Sequence, residues 1–321
     1  MKHMRFAAIL ALRAFAFQST FEIVAMKRLA PTLLTVLIAL IAWDSERTNK
    51  LDVSVGGTIL AFIPAGDGII VASDSRETLG NGLHCDGQDK IFALTKYPQS
   101  VFAMSGSYGL LTAPANEDAC AFLRSARVKV DFRAVAKNFL ESRQGPITKD
   151  TLNKLEALLR EEIEKLLPTN PELVGVDGGI LSFSFVKYVH QQKTVTYAAF
   201  EITSVDKRNT TIQSEVFTTI HNDEDELQNI CLAGKTACFL NATSAEGRKV
   251  LGSGFLRSYD YYVQTRPRVG EFTQEDAVLL ARDVIDSTVR YSTLFPGSDC
   301  RTGGPTKILA LNAHVYPVKI Q

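Results

Sequence analysis

The chain has 321 residues, 45% of them hydrophobic and 22% charged, which is enough to bury a large core and excludes disordered and collagen-like classes. Thirty-five basic residues balance 35 acidic ones, so the overall charge draws the protein towards neither nucleic acid nor an anionic membrane. Five cysteines with no C-x-x-C pair read as separate thiols rather than a metal site. His84-Cys85-Asp86 reads as a turn, because three consecutive residues seldom converge on one ion.

The N-terminal part differs in kind from the rest. Lys27 and Arg28 precede the apolar run Leu29 to Trp43, and Asp44-Ser45-Glu46-Arg47 ends it. A basic start with a short apolar centre is the pattern of an export signal, and the run is short for a membrane span of about 20 residues. Leu40 and Ala42 fit the small-x-small cleavage rule only loosely. Met26 stands just ahead of the pattern, which suggests a translated start there and an upstream extension before it. A membrane contact is expected only through this leader while it remains attached.

From Gly56 onward the periodicity changes. Thr58 to Ile63 and Gly68 to Ala72 are β-rich runs, followed at hairpin distances by Lys90 to Thr95 and Ser100 to Met104, which together predict an antiparallel meander. Arg133 to Glu141 predicts a helix. A second follows, in which Leu152, Leu155, Leu158, Leu159, Ile163 and Leu166 recur at spacings of 3 and 4 and stop before Pro168. Strand patterns return in Ile180 to Tyr188, Thr194 to Ile202 and Thr211 to Thr218. Thr273 and Asp276 form a capping-box pair ahead of Ala277, Leu280, Ala281, Val284 and Ile285, and Lys307 to Val318 predicts a last strand. Strands, helices, strands, helix and strand in that order suggest an α+β domain with packed sheets and outer helices.

The chemistry concentrates in Gly56-Gly57-Thr58, then Asp74-Ser75-Arg76-Glu77-Thr78-Leu79-Gly80, then Asp89-Lys90, then Met104-Ser105-Gly106. Asp74 and Lys90 follow Thr58 at equal spacings, and with those residues the chain resembles the β subunits of the proteasome, threonine proteases among the N-terminal nucleophile (Ntn) hydrolases. Gly252-Ser253-Gly254 resembles that family's Gly-Ser-Gly segment. Asp299-Cys300-Arg301-Thr302-Gly303-Gly304 resembles its Asp-x-x-Ser-Gly-Gly segment, with Thr302 in place of serine. The likeness runs from about residue 56 to 318 and thins between about 170 and 245, where extra strands or a hairpin read as inserted around Asp206 to Thr243.

The resemblance implies a four-layer αββα sandwich over residues 58–321, with 1–57 as leader and pro-segment. It implies autocleavage of the Gly57–Thr58 bond, after which Thr58 carries both the nucleophilic hydroxyl and the α-amine that acts as its base. Lys90 would supply positive charge and Asp74 would hold it; the Gly106 N–H would be the oxyanion donor; Ser253, Asp299 and Thr302 would orient the amine. Gly57 presents no side chain to obstruct attack on its carbonyl. Thr78 and Gly80 would form the edge on which substrate pairs as an added strand. Met104 would floor the first specificity pocket and favour large apolar side chains, against which Glu77 would favour basic ones. The implied function is a threonine endopeptidase acting on peptides or unfolded proteins, without a cofactor, in a homo-oligomeric ring or with proteasome-like partner subunits. Two rivals share the fold: an uncleaved, non-catalytic subunit and an Ntn amidase acting on a small amide. Localisation points two ways, since the leader suggests export and the family suggests the cytoplasm. Asn209-Thr210-Thr211 and Asn241-Ala242-Thr243 are glycosylation acceptors only in a eukaryotic secretory route.

Overall fold

The structure is a computed structural model that describes residues 50–320, apart from 81, 115–117, 126, 176–177, 207, 224, 226–230, 235, 253–255, 266–267, 296–300 and 315. The leader pattern therefore lies outside the described residues, as do Ser253 and Asp299.

The chain opens with β1 (Lys50–Gly56), β2 (Ile59–Ala65), β3 (Gly68–Ser73), β4 (Glu77–Leu79), β5 (His84–Cys85), β6 (Ile91–Ala93) and β7 (Ser100–Pro114). Next come α1 (Ala119–Ser125), β8 (Arg127–Asp131), α2 (Phe132–Ser142) and α3 (Lys149–Leu166), then β9 (Gly179–Val189), β10 (Thr194–Ser204), β11 (Thr210–His221) and β12 (Cys231–Gly234). It closes with α4 (Thr236–Thr243), α5 (Ala245–Leu251), α6 (Arg257–Thr265), α7 (Gln274–Leu294), β13 (Lys307–Leu311) and β14 (Val318–Ile320). The strands make two sheets. One runs β11-β10-β9-β7-β1-β4-β5, with β6 and β8 also paired to β7; the other runs β12-β2-β3-β13-β14. The result is a mixed α+β fold built on antiparallel sheets.

Alternation along the strands decides what each face meets. Ile59, Ala61 and Ile63 of β2 pack with Leu280, Val284 and Ile285 of α7. Their neighbours Leu60 and Phe62 pack with Val101 and Ala103 of β7 and with Val186, Val195 and Tyr197 of β9 and β10. The opposite side of β7, Phe102 and Met104, meets Phe183, Phe185 and Phe200 together with Leu155, Leu159 and Ile163 of α3. With both faces covered, β2 is buried along its whole length, which is why it reads as a continuous apolar run without a period of two.

The long helices follow their sequence signals. The Asp131 carboxylate accepts from the Arg133 and Ala134 amides at the start of α2, and Thr148 with Thr151 forms a capping box on α3. The pair predicted at Thr273 and Asp276 caps α7. Other expectations need correction. The predicted meander is split between sheets, because β2 pairs with β3 in one while β6 pairs with β7 in the other. β7 runs on to Pro114, and α1 and β8 follow it without a sequence signal. The last strand is two, β13 and β14, paired antiparallel.

Cysteine is the larger correction. His84 and Cys85 form β5 rather than a turn, paired with Thr78 and Glu77, and Cys85 is bonded to Cys120 of α1. Cys238 is disulfide-bonded as well. The Cys85–Cys120 bond fastens α1 to the outer edge of the larger sheet, where β4 and β5 are too short to hold a position by pairing alone. It closes a loop 35 residues long, for which chain entropy gives roughly 3–4 kcal/mol of stabilisation. Replacing both cysteines by serine is expected to lower the thermal midpoint by an amount matching that figure and to leave only the bond at Cys238 to respond to dithiothreitol in melting.

Candidate active site

Gly57 and Thr58 join β1 to β2 and stand beside the end of β3. Asp74 follows β3 directly and its carboxylate acts as a junction. Its Oδ1 accepts from the Ile59 amide at 3.0 Å, and its Oδ2 accepts from the Gly303 amide at 3.0 Å and the Arg76 amide at 3.4 Å. Lys90, one residue before β6, reaches the same point. Its Nζ donates to Asp74 Oδ1 at 3.1 Å, to the Gly57 carbonyl oxygen at 2.6 Å and to the Arg76 carbonyl. An ammonium has three donors, and all three are used. Both side chains of the pair are fully buried. Burial holds the Lys90 pKa below its ordinary value, and the Asp74 carboxylate acts in the opposite sense.

Thr58 is fully buried, and its hydroxyl has no hydrogen-bond partner among the described residues. It opens on a cleft of about 370 Å³, whose walls include Gly57, Thr78, Gly80, Ser105, Gly106 and Gly234. Gly106 has φ +84°, and a side chain there would overlap the Ile180 carbonyl, so the backbone can take this path only as glycine. The Thr78 hydroxyl donates to the Arg301 carbonyl at 3.2 Å, which fastens the 301–304 segment to β4. Thr302, next along, is fully buried, and its hydroxyl too lacks a partner among the described residues. Arg76 makes a two-pronged ion pair with Asp86, at 2.7 and 3.0 Å, and its guanidinium occupies the space beside Gly303.

The cleft already contains a strand. β1 lies between β7 and β4, with Gly56 opposite Thr78 and Val55 opposite Leu79. The residues preceding Thr58 thus pair with β4. Gly56 passes so close to the Gly106 carbonyl that no side chain would fit.

Gly57, Thr58, Thr78, Gly80 and Gly106 therefore line one cleft, Asp74 and Lys90 are joined to each other and, through Lys90, to the Gly57 carbonyl behind it, and Thr302 stands between Arg301 of the lining and Gly303, which bonds Asp74. Two residues weighed for specificity lie elsewhere. Met104 is buried in the core beneath α3, on the side of β7 away from Thr58, and does not line the cleft. Glu77 bonds Arg133 at 2.7 Å and lines a separate cavity with Tyr108 and Phe92. Burial and that carboxylate push the Tyr108 phenol well above its usual range. Conversely, sequence reasoning passed over Ser105, Ser182, Glu201 and Gly234, which do line the cleft. Alternation offered a signal for Ser105, since it shares its face of β7 with Val101 and Ala103, opposite to Met104. Among the described residues no group of His, Cys, Asp or Glu is arranged to hold a metal ion. No family model matches the chain, and no curated protein matches it.

Two outcomes follow from this geometry. Lys90→Met would leave Asp74 buried without its cation but with three backbone donors, at a cost of about 3 kcal/mol in urea denaturation. Because the folded-state pKa of Lys90 is depressed, its contribution to stability is complete above the unfolded value near 10.5 and is lost as pH falls through the folded value. Wild-type stability relative to Lys90→Met should accordingly rise with pH over the alkaline part of that window. Gly234→Ala would drive a methyl group into the Thr58 carbonyl and is expected to destabilise the fold by about 1–3 kcal/mol.

Proposed function

We propose that this chain is a threonine peptidase of the Ntn class, with the four-layer αββα sandwich of proteasome β subunits, and that it matures by cutting its own Gly57–Thr58 bond. The observation that carries the reading is the position of Lys90: one buried ammonium bridges the Asp74 carboxylate and the carbonyl oxygen of the bond to be cut, beside the Thr58 hydroxyl. Three apolar clusters, one between the sheets and one on the outer side of each, support the layer order.

In the maturation step Thr58 Oγ attacks the Gly57 carbonyl carbon. The Lys90 ammonium already donates to that carbonyl oxygen and would stabilise the negative charge developing on it. The C–N bond breaks, the hydroxyl proton ends on the released amine, and water then hydrolyses the resulting ester. The freed α-amine becomes the base for later turnovers, in which Thr58 attacks a substrate carbonyl placed near the Gly106 amide. Departure of the 50–57 segment would open the slot between β4 and β7 for an extended peptide. The location of β1 also favours a second reading, an uncleaved and non-catalytic subunit, since a strand kept in that slot completes the sheet and blocks the cleft. On either reading the partners proposed are further copies of the chain or proteasome-like subunits in a ring. The disulfides favour folding in an oxidising compartment, in line with the apolar leader.

Intact mass and N-terminal sequencing of the purified wild type and Thr58→Ala separate the two readings. A wild type that begins at Thr58, with Thr58→Ala uncut at that bond, is the expected result. A wild type that keeps the bond under oxidising, fully folded conditions would sink the peptidase and leave the structural subunit.

A further inference from the structure

We propose that Ser105 is a positioning residue for Thr58, a role that rests on the reading of Thr58 as the nucleophile. Ser105 has 1% of its surface exposed, and its hydroxyl, like that of Thr58, has no hydrogen-bond partner among the described residues. Both line the same cleft. The alternation of β2, continued back one residue, puts Thr58 on the side of Leu60 and Phe62, while Ser105 is on the side of β7 that carries Val101 and Ala103. Those four apolar residues belong to one cluster between the sheets, so both side chains lie on the inter-sheet side at its end.

Gly234 fixes the approach. A Cβ at that position would overlap the Thr58 carbonyl oxygen and stand 3.0 Å from Ser105 Oγ, so one point of backbone touches both residues. The polar lining continues from there in register. Ser105 is directly opposite Ser182, which is directly opposite Glu201, and all three line the cleft. The lining formed by Leu60, Phe62, Val101 and Ala103 thus gives way to serine and glutamate side chains at the cleft beside Thr58.

A buried hydroxyl without a partner is unfavourable, and alanine fits the same place without that penalty. A group that costs stability yet lines the cleft of a nucleophile is a mark of a functional site. Ser105 is assigned a hydrogen bond to Thr58 Oγ, made directly or through one shared water as the Gly57 carbonyl is attacked. That bond directs the Thr58 lone pair at the carbonyl carbon, and Ser105 neither gains nor loses a proton over the reaction.

The test follows cleavage of the Gly57–Thr58 bond over time, by intact mass, in the full chain carrying wild-type Ser105, Ser105→Ala or Ser105→Thr, with thermal melting of each. Ser105→Ala is expected to slow cleavage by about 10- to 100-fold, the scale of a misplaced reacting group, while melting at the same temperature as wild type or higher. Ser105→Thr, which restores the hydroxyl, should recover most of the rate. In matured enzyme Ser105→Ala should lower kcat on a peptide substrate and leave KM unchanged. Cleavage of Ser105→Ala at the wild-type rate would overturn the assignment and leave the Thr58 reading intact. So would slow cleavage that tracks a lowered melting temperature without rescue by threonine, because that pattern is packing. A wild type that does not cut at all removes the nucleophile, and the role of Ser105 falls with it.

Discussion

A single buried cation organises this site. The Lys90 ammonium has lost its water and replaced it with three oxygens from two segments: the Gly57 carbonyl, and the Asp74 carboxylate and Arg76 carbonyl that stand two residues apart. Asp74 extends the reach of that cation, because its remaining capacity ties down the start of β2 through Ile59 and the 301–304 segment through Gly303. None of these segments is adjacent in sequence to all the others. Removing a charge pair from water gives little net stability even when the geometry is good. What the arrangement supplies is position: the Gly57 carbonyl, the strand that follows it and the segment holding Thr302 are referred to one point.

How much of this was legible in the sequence depends on the range over which each signal acts. Helices α2, α3 and α7 announce themselves through apolar spacings of 3 and 4, and the Thr273–Asp276 cap is local to four residues. β2 and β3 are equally plain as apolar β-rich runs. Their sheet is not, since a strand buried on both faces carries no mark of which partner lies on which side. β4, β5 and β14 are too short for any period to register. The Cys85–Cys120 bond joins residues remote in sequence within an odd set of cysteines, so counting them argued against it. In the candidate site, likeness to a family located Thr58, Asp74 and Lys90, which the fold brings together. The same likeness pointed to Met104 for the cleft wall, where the alternation of β7 presents Ser105 instead. A one-residue difference in a strand exchanges core for cleft.

β1 was the least legible element, because the residues before Thr58 were read as leader. Leu51-Asp52-Val53-Ser54-Val55 alternates as a strand does, and the fold places it between β7 and β4. A strand of the chain itself thereby occupies the cleft. On the proposed reading an intramolecular strand is held at far higher effective concentration than any peptide in solution. Cleavage of the bond converts that occupant into a separate, dissociable segment. On that reading the same backbone pairing that presents Gly57 to Thr58 also keeps the cleft closed until the bond is cut.

The edge with which β1 pairs is itself weakly built. β4 has three residues and β5 two, and both lie at the margin of the larger sheet. Pairing on that scale cannot hold a strand rigid, so the position of Thr78 depends on ties from outside the sheet. One is its hydrogen bond to the Arg301 carbonyl, which belongs to the segment anchored through Asp74. Another is the Glu77–Arg133 ion pair, which links β4 to α2 and draws Glu77 away from the cleft. The third is the Cys85–Cys120 bond on the neighbouring strand. Rigidity of a binding edge lowers the ordering cost of whatever pairs with it. A disulfide at this place thus links the cell compartment in which the chain folds to the preorganisation of its cleft, and on the proposed reading a reduced chain would keep its buried Lys90–Asp74 pair while presenting a looser edge to the strand it must cut.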